Sequence, residues 1–137
     1  MRIISKPDIR EDIKDEVNSF RKSKGLPSLH LHYNECYGCK KHAEYIIETY
    51  NPEWMAEQNI HESDIYYRPH GWTEINTIIL SKYPNSTYEG IKELVVQAIK
   101  EKLKDQDSAQ KVLNASQYVA ADISCPEHTI AICIRLL

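Results

Sequence analysis

Four cysteines are the most reactive side chains in this 137-residue chain. Cys36-Tyr37-Gly38-Cys39 is a CxxC, a spacing that elsewhere serves dithiol redox chemistry or half of a zinc site. A redox CxxC needs a helix N-terminus after a strand, where the thiolate is stabilised. Here both cysteines fall on the apolar stripe of a predicted helix. No second CxxC follows to complete a four-cysteine zinc site. Packing as small hydrophobes is the favoured reading. A disulfide involving at least one of them, or redox or metal chemistry, are the alternatives. Cys125 and Cys133 flank a predicted hairpin turn, out of register with each other, and Cys125 is expected to face Ile130. A helix-to-sheet bridge from Cys36 or Cys39 stays open.

Two other stretches could recognise a ligand. Tyr66-Tyr67-Arg68-Pro69-His70-Gly71-Trp72 gathers three aromatics with Arg and His in one loop. Such a loop suits an amphipathic ligand or a protein surface, or it caps a sheet edge. Lys92 to Lys104 is lysine-rich but interrupted by Glu93 and Glu101, which reads as a solvated helix face. Asn85-Ser86-Thr87 and Asn114-Ala115-Ser116 match the glycosylation triplet, which matters only in a glycosylating host. No Ser-His-Asp or Cys-His constellation and no Gly-rich phosphate loop is evident.

Composition bounds the function class. Seventeen basic against 20 acidic residues give a net charge of -3. That balance argues against a nucleic-acid binder, which usually carries a basic face. No apolar run approaches the ~20 residues of a membrane helix. Met1 to Asp15 is charged and has no apolar leader core, so no secretory leader is expected within this sequence. The length suits one domain spanning 1–137, with a core from about 16 and residues 1–15 as a lead-in.

The elements that must position these residues follow from apolar periodicity. Ile9, Ile13, Val17 and Phe20 form one face of a helix over Pro7–Lys24, with Gly25 as its stop. Cys36, Cys39, Ala43, Ile46, Ile47 and Tyr50 form the stripe of a second helix over Asn34–Tyr50, with Lys40, Lys41, Glu44 and Glu48 pointing away. Glu53–Asp64 reads as a helical turn and loop. A strand is predicted over Trp72–Leu80. Ile91, Leu94, Val95 and Ala98, widened by Ile99 and Leu103, mark a third helix over Tyr88–Lys104. A hairpin pairs Tyr118–Cys125 with Ile130–Leu137, and Arg135 implies a partly wet face or an edge position. The expected fold class is α+β, an α-β-α sandwich with a small, mostly antiparallel sheet between helices.

The stretch from Val17 to Leu29 resembles the opening of the CAP domain, the SCP domain of the cysteine-rich secretory, antigen 5 and pathogenesis-related 1 proteins. Asn18 and Arg21 match that family's Asn-x-x-Arg. Gly25, Leu26 and Leu29 match its Gly-Leu-x-x-Leu. Cys39 and Ala43 fall on the two small positions of its second helix, with Cys36 near the preceding Leu position. The resemblance runs from about Glu16 to Leu137. It implies the same α-β-α sandwich, and a cleft holding two His and two acidic residues. His61 matches the first His. Glu74 matches the Glu of the family's Gly-Glu-Asn, whose Gly and Asn are lost here, although Asn76 sits nearby. Glu101 matches the second Glu, without the aromatic pair that precedes it in the family. Ser108 stands where the second His belongs, before Val112-Leu113. The tetrad is therefore incomplete, with His70 as a spare candidate that reads better as a loop residue.

His61, Glu74 and Glu101 could still hold zinc, since one imidazole and two carboxylates leave an open position for water. The bland reading is a polar cleft whose carboxylates are held by neighbouring donors. The resemblance thus implies a non-enzymatic, secreted or surface-associated protein with a vestigial cleft and no cofactor. Its partner would be a lipid or sterol, or a host or cell-surface protein. The alternative is a zinc-binding His/Glu cleft with hydrolytic activity.

Overall fold

Asp8 starts helix α1 (Ile9–Ser23) by accepting a hydrogen bond from the Arg10 N–H, a side-chain cap for an otherwise orphan donor. The computed structural model describes residues 8–49, 69–82 and 84–137. Helix α1 ends where Gly25 takes a positive φ of 77°, a left-handed turn that suits glycine. The Leu26 N–H then returns to the Arg21 carbonyl. Ile13 and Val17 are buried from this helix, with Ile9 and Phe20 packed beside them.

After α1 come β1 (His30–Leu31), α2 (Tyr33–Thr49), β2 (Thr73–Leu80), α3 (Tyr88–Lys102), α4 (Gln106–Asn114), β3 (Tyr118–Ser124) and β4 (Thr129–Leu136). The four strands form one sheet in the order β1-β3-β4-β2. Strand β4 pairs antiparallel with both β2 and β3, and β1 pairs parallel with β3. The fold is α+β.

Two elements escaped the sequence pattern. Strand β1 is two residues long, too short to show an alternation. Helix α4 has a narrow apolar stripe, with only Val112 fully buried among its hydrophobic residues. Its start is nevertheless encoded, because Asp105 caps the Ser108 N–H at 3.0 Å. The expected α3 stripe narrows to Val95 and Ile99, while Leu94 is 37% exposed. The predicted turn and loop at Glu53–Asp64 lies outside the described residues.

Strand alternation gives the sheet two unlike faces. Ile75, Val119, Ala121, Ile123, Ile130, Ile132, Ile134 and Leu136 line one face and pack with α1, α3 and α4 as the apolar core. The other face carries Glu74 and Asn76 from β2, Cys133 and Arg135 from β4, and Ala120 and Asp122 from β3. Helix α2 covers it. Because β1 is so short, α2 also closes the β3 edge. The Cys36 sulfur accepts the Ala121 N–H at 3.4 Å, and Lys40 Nζ donates to the Ile123 carbonyl at 2.9 Å. Lys40 therefore turns toward the sheet, against the expectation that it points away.

The residues that carry the family resemblance act as a clamp at one end of the sandwich. The Asn18 amide donates to the Leu29 carbonyl at 3.0 Å and accepts the Leu29 N–H at 2.8 Å. Arg21 is buried and donates to four main-chain carbonyls: Pro27 at 2.9 Å, Val112 at 2.9 Å, Leu113 at 3.5 Å and Ala115 at 2.7 Å. One side chain of α1 thus holds the turn before β1 and the C-terminal end of α4, where carbonyls lack helical partners.

Candidate functional site

The polar groups of the fold converge under α2. Arg135 is expected at an edge or on a wet face, and the structure corrects this. It sits in an inner strand at 1% exposure. The reason is compensation by charge. Its Nε donates to Glu74 Oε1 at 2.7 Å and its Nη1 to Glu35 Oε1 at 2.6 Å. Glu74 is directly opposite Arg135 on β2, and Glu35 comes down from the first turn of α2. Burial opposes the Arg135 charge. The Glu74 hydrogen bond, the neighbouring Cys133 and Glu35 outweigh it and push its pKa up.

Glu74 is 3% exposed and is supplied with further donors. Asn76 Nδ2 lies 3.2 Å from its Oε2, and the Cys133 thiol donates to Oε1 at 3.3 Å. His42, one α2 turn beyond Gly38, is fully buried with its Nε2 3.8 Å from Glu74 Oε2. The cluster therefore joins Glu35 and His42 of α2 to Glu74, Asn76, Cys133 and Arg135 of the sheet. Sequence reasoning missed Glu35, His42 and Arg135. The available signal was the lone Arg in the alternating apolar run of β4, which demands a buried carboxylate partner.

Gly38 is what lets the helix sit this low. A Cβ there would lie 2.7 Å from Arg135 Nη1 and 3.0 Å from Glu35 Oε1. The guanidinium is the end of a long side chain, but two carboxylates hold it in place. Gly38→Ala adds about 1 kcal/mol of helix propensity. It is nevertheless expected to destabilise the protein by about 1–3 kcal/mol through overpacking, read as a lower urea midpoint.

Two thiols of this layer are held in the protonated form. Burial, relieved in part by the Ala121 N–H, pushes Cys36 from its ordinary 9.0 up to about 11. Burial also pushes Cys133 well above the ordinary thiol value, reinforced by hydrogen bonding to Cys39 and by the Glu74 charge. Between pH 9 and 11 the unfolded chain releases the Cys36 proton while the native state keeps it. Native stability is therefore expected to fall as pH rises through this window, by up to about 1.4 kcal/mol per pH unit. Denaturation midpoints at pH 8 and pH 10 check this, and Cys36→Ala should flatten the slope.

Among the described residues, those expected at the cleft lie apart from one another. His61 lies outside the described residues. Glu101 stands exposed on α3, which packs on the opposite face of the sheet from Glu74, and it pairs with Lys104 at 2.8 Å. Ser108 is buried and spends its hydroxyl on Asp105 at 3.0 Å in the α4 cap. His70 is an exposed turn residue ahead of β2. Of the aromatic loop, Trp72 is buried against His32, edge to face at 5.4 Å, and so caps the α2 layer instead of presenting a recognition surface. Tyr66, Tyr67 and Arg68 lie outside the described residues.

Zinc does not fit at Glu74. Both carboxylate oxygens accept protein donors, and a guanidinium sits where a second cation would be repelled. Among the described residues, no three His, Cys, Asp or Glu side chains are grouped as ligands for a metal ion.

A groove of about 700 Å³ runs along the outer edge of β2. Thr77, Ile78, Ile79 and Leu80 form one wall, and Ala98, Glu101, Lys102 and Asp107 form the other. Lys111 Nζ crosses the same strand edge to the Glu74 carbonyl at 3.1 Å. Antiparallel alternation then turns the peptide groups of Ile78 and Leu80 outward as well.

No helix among the described residues is long and apolar enough to cross a membrane. No known family model matches the chain, and no curated protein sequence matches it.

Proposed function

We propose that this chain is a non-enzymatic, CAP-like binding domain, secreted or surface-associated, whose partner is an extended segment of another protein. The observation that carries the reading is the state of Glu74. The carboxylate best placed for acid/base or metal chemistry is buried and occupied by Arg135, Asn76 and Cys133. A general base must reach a substrate proton, and this group serves the fold instead. The clamp made by Asn18, Arg21, Gly25 and Leu29 supports the CAP reading, because it gives each resembling residue a task in the sandwich.

The groove beside β2 supports a protein ligand. Strand β2 is eight residues long and lies at the edge of the sheet formed by the described residues, with Leu80 46% exposed. Such an edge offers main-chain hydrogen bonds to an added strand, and Ile78 and Ile79 offer apolar contact. A sterol or fatty acid needs a cavity that buries most of its surface. This groove is open and rimmed by charge.

Extended peptides selected on the full chain are expected to bind at micromolar Kd and to lose binding in Ile78→Lys. Zinc titration of metal-stripped protein at neutral pH is expected to give no isotherm tighter than about 10 μM, roughly -7 kcal/mol. One-site zinc binding lost in the Glu74→Gln/Glu101→Gln double variant would overturn the non-enzymatic reading in favour of a zinc cleft. Saturable sterol or fatty-acid binding, with no peptide selected, would overturn the protein ligand in favour of a lipid.

A further inference from the structure

We propose that Cys39 and Cys133 are a dithiol site that closes into a disulfide between α2 and β4 when the chain folds under oxidising conditions. Cys133 lies mid-strand in β4, between Asn76 of β2 and Asp122 of β3, on the face that α2 covers. Cys39 comes down from α2 into the same buried layer and packs in one cluster with Cys133. Both are fully buried in one cluster with Cys36, Trp72 and Ala120. The low seat of α2 at Gly38, one residue before Cys39, is what brings helix and strand this close.

The structure also selects the pair. Cys36 is turned to the Ala121 N–H at the β3 edge. Cys125 packs with the apolar core on the other side of the sheet. That leaves Cys39 as the α2 thiol sharing the Cys133 cluster whose sulfur is not taken by the β3 main chain, and this selects the pair.

The chemistry is thiol–disulfide exchange with a small-molecule disulfide of the glutathione class. One thiolate attacks that disulfide and releases a small thiol, leaving a mixed disulfide on the protein. The second cysteine then displaces the other small thiol. One S–S bond forms, the dithiol gives up two electrons and two protons, and two small thiols carry them away. Exchange needs a thiolate and access. In the folded, reduced protein both cysteines are fully buried and access is lost, so the bond closes during folding or when α2 lifts. Once closed, it spans a loop of roughly 90 residues and restricts the unfolded chain. The Cys133 proton bonded to Glu74 is lost, so Glu74 keeps Arg135 and Asn76 as donors.

The test is refolding of the full chain in a glutathione redox buffer, followed by alkylation, digestion and mass mapping. The expected product is lighter by two hydrogens, carries a Cys39–Cys133 linked peptide, and melts about 5 °C or more above the reduced form. A folded product with four alkylated thiols, or a link mapped to Cys36–Cys39 or any other pair, would overturn the proposal. Cys133→Ala should abolish the link. Should that variant fail to fold, Cys36→Ser/Cys125→Ser retains only the two proposed cysteines and decides alone. It either forms the intramolecular link on refolding or overturns the site.

Discussion

Arg135→Met is expected to cost about 3–5 kcal/mol of stability, the typical penalty for removing one partner of a buried ion pair. Methionine fills most of the volume, so the loss is electrostatic. It strands Glu74, and in part Glu35, as carboxylates without their cation. Domains of this size hold about 5–15 kcal/mol in total. The variant should therefore show a sharply lower urea midpoint at pH 7. The cause can be separated from packing by a second change. Arg135→Met/Glu74→Met removes both charges and should recover much of the loss, since a well-packed apolar pair can match a buried ion pair. A double variant no more stable than the single would show that the cluster contributes through shape.

Arg21→Met is expected to cost about 3–5 kcal/mol as well, by a different route. Here a cation serves four carbonyls and no carboxylate. Each buried carbonyl left without a donor costs about 1–3 kcal/mol, and water can reach some of them. Arg21→Lys should recover only part, because one ammonium cannot reproduce the planar fork that spans the Pro27, Val112 and Ala115 carbonyls. Hydrogen exchange adds a spatial readout. Amides at the C-terminal end of α4 and in the turn before β1 should lose protection together, because one guanidinium ties them.

Both predictions concern arginines that sequence reasoning treated unequally. Arg21 belongs to a local pattern, Asn-x-x-Arg before Gly-Leu-x-x-Leu, and its spacing on α1 marks it for a shared task. Arg135 belongs to no pattern, and it contradicts the apolar alternation around it. An isolated charge in a strand reads as an edge or a wet face, because burial of an unpaired ion is prohibitive. The partners that make it affordable are Glu74 and Glu35, distant in sequence from β4. Nothing local announces them.

The candidate site divides the same way. Glu74 is singled out by resemblance to a cleft carboxylate, and its company differs from the expectation. His42, Asn76, Cys133 and Arg135 surround it, while Glu101 faces solvent on the other layer. A strand residue and a helix residue share a site only if their layers meet, and periodicity gives a face without naming the face opposite.

The sequence by itself determined the long elements. Helices α1, α2 and α3, strand β2 and the β3–β4 hairpin each repeat an apolar period over enough residues to be read, and signals such as Asp8 and Gly25 punctuate them. It also determined that the β4 hairpin partner would follow directly. Tertiary structure alone decided that β1 joins the sheet, that β2 takes the outer edge, and that α2 carries Cys39 onto Cys133 and Glu35 onto Arg135. Those outcomes depend on which surfaces close on one another, and closure is governed by long-range pairing of charges and apolar faces that no local window of residues contains.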